Sequence, residues 1–286
     1  MPDLLDPVRK GRQALQRSWN LRGLGREKGP LAAAVAAALQ AAVRGHLTPE
    51  EEEWTARIER LRAELDASAA PVLRLDYGAG SPGARRTAAE MLAGVETPDT
   101  LGHISRLTSK PPFWCRVLFQ LVRHARPVTC LEMGTSVGIS AAYQAAALEL
   151  NASGSLVTLE GAPAVAEIAA ANLRRLGLDR SEVVVGRFQD TLPGLLEARQ
   201  PVDYVFVDGH HDQQATLAYF ELLLPALAGA ALLVFDDIAW SDGMRRAWSA
   251  LSRDHRVGIA VDLGPVGLCL IDGNGGRRGH YHIPLP

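Results

Sequence analysis

From residue 127 onward, short runs rich in β-branched residues alternate with helical stretches, and this alternation restricts the fold more than any other feature of the chain. Strands are expected at 128–133, 156–160, 182–185, 204–208, 232–235, 257–262 and 267–271. Helical segments separate the first six. That order indicates a parallel sheet of βαβ units with ligands at the carboxyl ends of the strands. The last two strands are joined by 263–266 alone, too short for a crossover helix, so they must form an antiparallel hairpin. The expected fold is α/β: a Rossmann-like sheet of seven strands ending in an antiparallel hairpin.

Residues 1–104 read instead as a helical region that doubles as a substrate lid, with 105–272 as the main domain and 273–286 as a loose tail. In the third helix of that region, Thr48-Pro49-Glu50-Glu51 supplies an N-cap, a first-turn proline and a capping-box glutamate. Trp54, Ile58, Leu61 and Leu65 follow as one apolar stripe, expected to pack on the main domain or on a second subunit in a homodimer. Residues 72–83 form a short apolar run and a Gly/Ser/Pro turn, and a helix is expected from 83 to 93. Ser109-Lys110-Pro111-Pro112 opens a further amphipathic helix over 113–124.

With 286 residues, 47% hydrophobic and 22% charged, the chain can bury a full core. A net charge of -2 gives no reason to expect nucleic acid or an anionic membrane as partner, which leaves a small molecule. Cys115, Cys130 and Cys269 sit in apolar runs without CxxC pairing, as buried thiols of a reducing cytoplasm would. The apolar run 31–43 is shorter than the roughly 20 residues of a membrane span and reads as a core helix.

The chemistry gathers at the expected strand ends. Glu132-Met133-Gly134-Thr135-Ser136-Val137-Gly138 is a glycine turn between strand and helix, where backbone amides can approach a ligand near a helix N-terminus. Such a turn can also serve packing alone, and it lacks the GxGxxG spacing of a dinucleotide site. Glu132 could hold the ammonium of an amino-acid ligand. Glu160 ends the second strand, where a carboxylate can accept both hydroxyls of a ribose, as in NAD or S-adenosylmethionine. Asp208, Asp236 and Asp237 fall at the ends of adjacent strands, where mutual repulsion points to a hard cation such as Mg²⁺ unless one of the acids caps a helix and another faces solvent.

At this point the chain resembles the catechol and caffeoyl-CoA O-methyltransferases, over roughly residues 105–272. The resemblance implies a class I methyltransferase with S-adenosylmethionine bound by Glu132, Gly134, Thr135, Ser136, Gly138, Glu160, Gln189 and Asp208. Gln189 lies in a G-x-x-Q-D-x-x-P pattern, Gly186 to Pro193. The same resemblance makes Asp208, Asp236 and Asp237 ligands of Mg²⁺ or another divalent cation, although Asp237 stands where animal and plant enzymes usually have asparagine. Three residues after Asp208, where the catechol enzymes carry a catalytic lysine, this chain has His211. A histidine at that spacing is the general base of related sugar O-methyltransferases, and an imidazole suits proton removal at neutral pH. His210 is the alternative base.

The implied reaction is removal of a proton from a metal-bound hydroxyl by His211, with Asp208 part of the catalytic group, and transfer of the methyl group to that oxygen. Two adjacent substrate oxygens would chelate best, which favours a catechol, a sugar diol or a hydroxy-acid. Tyr77, Ser81, Trp114 and Trp240 are candidates for the lid or for core packing. Rivals are a tRNA wobble-uridine O-methyltransferase, disfavoured by the lack of a basic tract, an NAD-dependent oxidoreductase, and a non-catalytic cofactor-binding subunit.

Overall fold

The computed structural model describes residues 6–80, 86–273 and 279–285. Its first part runs α1 (Asp6–Leu24), α2 (Pro30–Arg44), α3 (Pro49–Asp66), β1 (Pro71–Asp76), α4 (Ala88–Ala93), β2 (Val95–Thr100), α5 (Leu101–Thr108) and α6 (Pro112–Ala125). The second part follows as β3 (Thr129–Met133), α7 (Ile139–Asn151), β4 (Ser155–Glu160), α8 (Pro163–Leu176), β5 (Ser181–Val185), α9 (Phe188–Arg199) and β6 (Val202–Val207). It ends with α10 (Gln213–Leu223), β7 (Leu227–Phe235), α11 (Asp242–Leu251), β8 (Ile259–Asp262), β9 (Gly267–Ile271) and β10 (Gly279–His282).

All seven expected strands are present. They lie in the order β8-β9-β7-β6-β3-β4-β5, with β9 antiparallel to both β7 and β8. From β3 the chain winds outward through β4 to β5, then returns to the other side of β3 for β6 and β7. The reversal opens a crevice at the carboxyl ends of β3 and β6, the switch point where open α/β sheets bind ligands.

An eighth strand corrects the reading of 273–286 as a loose tail. Strand β10 pairs in parallel with β8, and Ile283 behind it is fully buried. Tyr281 anchors the strand by hydrogen-bonding Glu27 just beyond α1. Residues 274–278 lie outside the described residues.

The N-terminal helices cover one face of the sheet rather than forming a separate body. Helix α2 starts at a first-turn proline, ends at left-handed Gly45, and buries Val35 and Leu39 against α6. Helix α3 has the expected capping box, Thr48 Oγ1 accepting from Glu51 N and Glu51 Oε2 accepting from Thr48 N. Its stripe packs on the main domain: Ile58, Leu61 and Leu65 are buried, and Tyr143 of α7 donates to Glu59 at 2.8 Å. Among the described residues no single helix is long and apolar enough to cross a membrane.

Strand β2 was not expected, because Pro98 and the polar alternation of Val95–Thr100 argue against a central strand. It pairs antiparallel with β1 as an isolated two-stranded ribbon, where a proline on an edge is tolerated. The helix expected over 83–93 is confined to Ala88–Ala93; residues 83–85 and the lid candidate Ser81 lie outside the described residues.

Candidate active site

At the end of β3 the chain turns sharply at Gly134, which has φ +108° and lies against the Asp208 carbonyl. Gly134 N and Thr135 N both donate to Leu159 O, and Gly138, at φ +88°, begins α7. Ser136 holds φ +47°, a left-handed conformation uncommon for a residue with a side chain. Its amide donates to Glu160 Oε2 at 2.8 Å, while its hydroxyl meets Thr108 of α5 at 2.5 Å. The glycine loop is therefore tied to β4 below and to the N-terminal region above.

Glu160 accepts from Ser136 N at one oxygen and from Ala162 N at the other. Each oxygen keeps a lone pair for a further donor, which is the requirement for gripping two adjacent hydroxyls. Burial raises this carboxyl above its ordinary range, against the backbone hydrogen bonds that lower it. The ring of Tyr77, just past β1, lies so close to Gly161 that a Cβ there would fall 2.7 Å from Cδ2. Tyr77 thus roofs the Glu160 end of the cavity.

The segment that follows Tyr77 is fastened at two points. Ala79 N donates to His210 O at 2.9 Å, and Arg86 pairs with Asp76 at 2.9 Å while donating to Gly78 O. Beneath it runs a cavity of about 700 Å³, lined among others by Tyr77, Glu160, Ser136, Gln189, Asp208 and His211.

On the same cavity, His210 and His211 follow β6 with φ of +70° and +48°. Two successive left-handed residues cost on the order of 1–3 kcal/mol each and concentrate at working sites. The strain turns the two imidazoles in different directions. His210 Nδ1 meets Tyr219 Oη at 2.8 Å, and burial makes this imidazole less basic than usual. His211 instead lies between carboxylates, Nε2 at 3.7 Å from Asp208 Oδ1 and Nδ1 at 3.8 Å from Asp237 Oδ2, with Trp240 beside its ring. Asp208 is raised by burial, an effect opposed by Lys110 and His211.

The structure corrects two expected roles. Glu132 does not reach the cavity: β3 is covered on both faces, and its carboxyl is fully buried, accepting from Gln144 Nε2 at 2.7 Å and Thr158 Oγ1 at 2.6 Å. Thr158 also meets Thr135 Oγ1 at 2.6 Å, so Glu132 positions the glycine loop through its neighbours. Trp114 packs edge-on to Phe113 against the core, away from the cavity, whereas Tyr77 and Trp240 line it.

The second correction concerns the cation. Asp208, Asp236 and Asp237 do lie at adjacent strand ends, but among the described residues no group of three or more acidic, histidine or cysteine side chains is arranged to hold a metal ion. Asp236 is buried out of the cavity, and its carboxylate is met by the ammonium of Lys110. These residues do not fit a divalent ion as they stand. Lys110 was legible in the sequence only as the opening of a helix.

Burial pushes the Glu132 carboxyl up to about 7, against hydrogen bonds from Thr158, Ser140 and Gln144 that lower it. Between the ordinary value of 4.5 and 7, the native state keeps a proton that the unfolded chain releases. Its contribution to stability is therefore complete below pH 4.5 and is lost as pH rises through 7. Glu132→Gln, neutral and of the same shape, should gain about 2–3 kcal/mol on wild type between mildly acidic and mildly alkaline pH. Urea unfolding at both pH values checks this; parallel pH dependences would show that Glu132 is already ionised.

A glycine loop at a sheet switch point, a carboxylate at the next strand end and a histidine between two acids therefore share one cavity. Residues 131–238 match the family described as "Methyltransferase domain". The chain is 39% identical over 115 residues to a catechol O-methyltransferase of Mycobacterium tuberculosis, covering 40% of this chain and 50% of that protein. It is 36% identical over 110 residues to a catechol O-methyltransferase of Niastella koreensis, covering 38% and 48%. The chain spans about half the length of the curated relatives it matches.

Among solved structures, the O-methyltransferase TomG of Streptomyces achromogenes, in complex with S-adenosylmethionine, is similar at TM-score 0.50 and 27% identity, over 58% of this chain and 82% of that one. A Podospora anserina methyltransferase bound to S-adenosylhomocysteine matches in fold at TM-score 0.50 and 18% identity, over 58% and 80%. The class I methyltransferase fold and the resemblance to S-adenosylmethionine-dependent O-methyltransferases, both read from the sequence, are borne out; the sheet has one strand more than expected.

Proposed function

We propose that this chain transfers a methyl group from S-adenosylmethionine to a hydroxyl of a small molecule. The observation that carries the reading is one continuous cavity joining Glu160 and Tyr77 to the glycine loop and on to His211. Its size is within the usual range for small-molecule sites.

The residues present fit the cofactor. Glu160 has free lone pairs for a ribose diol beside Tyr77, the Gly134–Gly138 loop offers close backbone approach, and Gln189 lines the same cavity. When bound, S-adenosylmethionine supplies an electrophilic methyl on a sulfonium sulfur. His211 accepts the proton of the acceptor hydroxyl, with Asp208 and Asp237 flanking its ring at 3.7 and 3.8 Å. The lid residues Tyr77 to Gly80 keep the two reactants together and limit access of water. No step is assigned to a divalent cation.

Calorimetry with S-adenosylhomocysteine and with NAD tests the reading. Binding of the first and not of the second is expected, and the reverse would replace methyl transfer with hydride transfer. Glu160→Ala should weaken S-adenosylhomocysteine by about 1.5–3 kcal/mol through loss of charge-assisted hydrogen bonds. Unchanged affinity would move the ribose site elsewhere.

A further inference from the structure

The acids at the ends of β6 and β7 are answered by a cation that belongs to the chain. Lys110 lies in the extended Ser109-Lys110-Pro111 segment, with Pro112 fixing the start of α6 immediately after it. Only 16% of its side chain is exposed. Its ammonium contacts Asp236 Oδ2 and stands 3.9 Å from Asp237 Oδ1, and it lines the cavity together with Asp208, Asp237 and His211.

Asp236 makes this lysine necessary. Its side chain is 1% exposed, and neither carboxylate oxygen accepts a hydrogen bond from any other described group. A buried, unpaired carboxylate is costly enough that it must take up a proton, a metal ion or an ammonium. Here the ammonium occupies that role. An ammonium has three donors and no acceptor, so with one directed at Asp236 the others are left for an oxygen in the cavity and for Asp237 beside it.

We propose that Lys110 takes the place of the divalent cation expected from the sequence, neutralising Asp236 and Asp237 and steadying the acceptor oxygen from which His211 removes a proton. This rests on the methyltransferase reading above. It also alters the substrate class. A divalent ion favours two adjacent oxygens that chelate it, whereas a single ammonium needs one, so a lone phenol or alcohol suffices and a catechol or vicinal diol is not required.

Uptake of Mn²⁺, read by loss of the electron paramagnetic resonance signal of the aqueous ion, tests the proposal without depending on methyl transfer. Wild type and Lys110→Arg should leave the signal unchanged. Lys110→Met should take up about one ion per chain, because Asp236 and Asp237 are then left without the ammonium that answers them, with Asp208 at the adjoining strand end, and adding Asp236→Asn should abolish that uptake. Stoichiometric uptake by wild type that disappears in Asp236→Asn would overturn the proposal, as would a folded Lys110→Met protein that takes up none. If circular dichroism shows Lys110→Met to be unfolded, the wild-type result with its Asp236→Asn control decides alone. Failure of the methyltransferase reading would show separately, as wild type that does not bind S-adenosylhomocysteine.

Discussion

His211→Ala is expected to lose roughly 10²- to 10⁴-fold in turnover while keeping its affinity for S-adenosylhomocysteine, the scale associated with a lost general base. The geometry separates this residue from its neighbour. His211 lies between Asp208 and Asp237 at 3.7 and 3.8 Å, so the imidazolium formed by proton uptake has a carboxylate on either side. His210 has Nδ1 committed to Tyr219 and is less basic than usual because it is buried. Its replacement by Ala should therefore cost much less turnover, although loss of the Tyr219 contact should loosen the loop. Formation of S-adenosylhomocysteine is the readout, after a screen of phenols, catechols, glycosides and hydroxy-acids has found an acceptor. A larger loss in His210→Ala would make His210 the base. Equal and small losses would leave proton removal to solvent.

Much of this arrangement was legible because it depends on period and local turn chemistry. The seven strands announced themselves as apolar runs of the right length, and a four-residue connection forced the last pair into a hairpin whatever the remainder of the fold. Glu160 and Asp208 stand at strand ends as expected because the end of a parallel strand is a position in sequence as well as in space, whereas His211 was reached only through the family spacing after Asp208. Strand β10 was missed because a glycine-rich stretch precedes it and His280-Tyr281-His282 carries little β signal. Its pairing depends on β8, which lies earlier in the chain.

The errors at the site share one cause, the direction and partners of individual side chains. Glu132 occupies a strand end as expected, but in a sheet covered on both faces either direction of the pleat leads inward, and Gln144 and Thr158 meet it there. The three aspartates were read as needing a cation, and that electrostatic argument holds. What it could not supply was the identity of the cation, because Lys110 precedes α6 and meets Asp236 only once the helix has packed beside the sheet. The sequence shows a demand for positive charge more readily than its source.

Gly134→Ala is expected to be the most damaging substitution in the cofactor loop. A Cβ at this position would lie 1.8 Å from the carbonyl oxygen of Asp208 and 2.9 Å from its carbonyl carbon. Both are backbone atoms, so no rotamer change relieves the overlap. Relief would require the ends of β3 and β6 to separate, stretching the 2.8 Å hydrogen bond from Asp208 N to Met133 O and moving Asp208 away from His211. The backbone also has φ +108°, outside the regions open to alanine at low cost. Together these should destabilise the protein by about 3–5 kcal/mol, at the high end for a single substitution, and weaken S-adenosylhomocysteine markedly. Gly177→Ala is the appropriate control. It has φ +73° but no atom within 4 Å of the added methyl, so it should cost the left-handed strain alone, about 1–2 kcal/mol, and leave cofactor affinity intact. Urea unfolding and calorimetry on the two variants separate conformational strain from collision. If Gly134→Ala proved no worse than Gly177→Ala in both measurements, the close approach of the loop to β6 would not be what holds the cofactor site in shape.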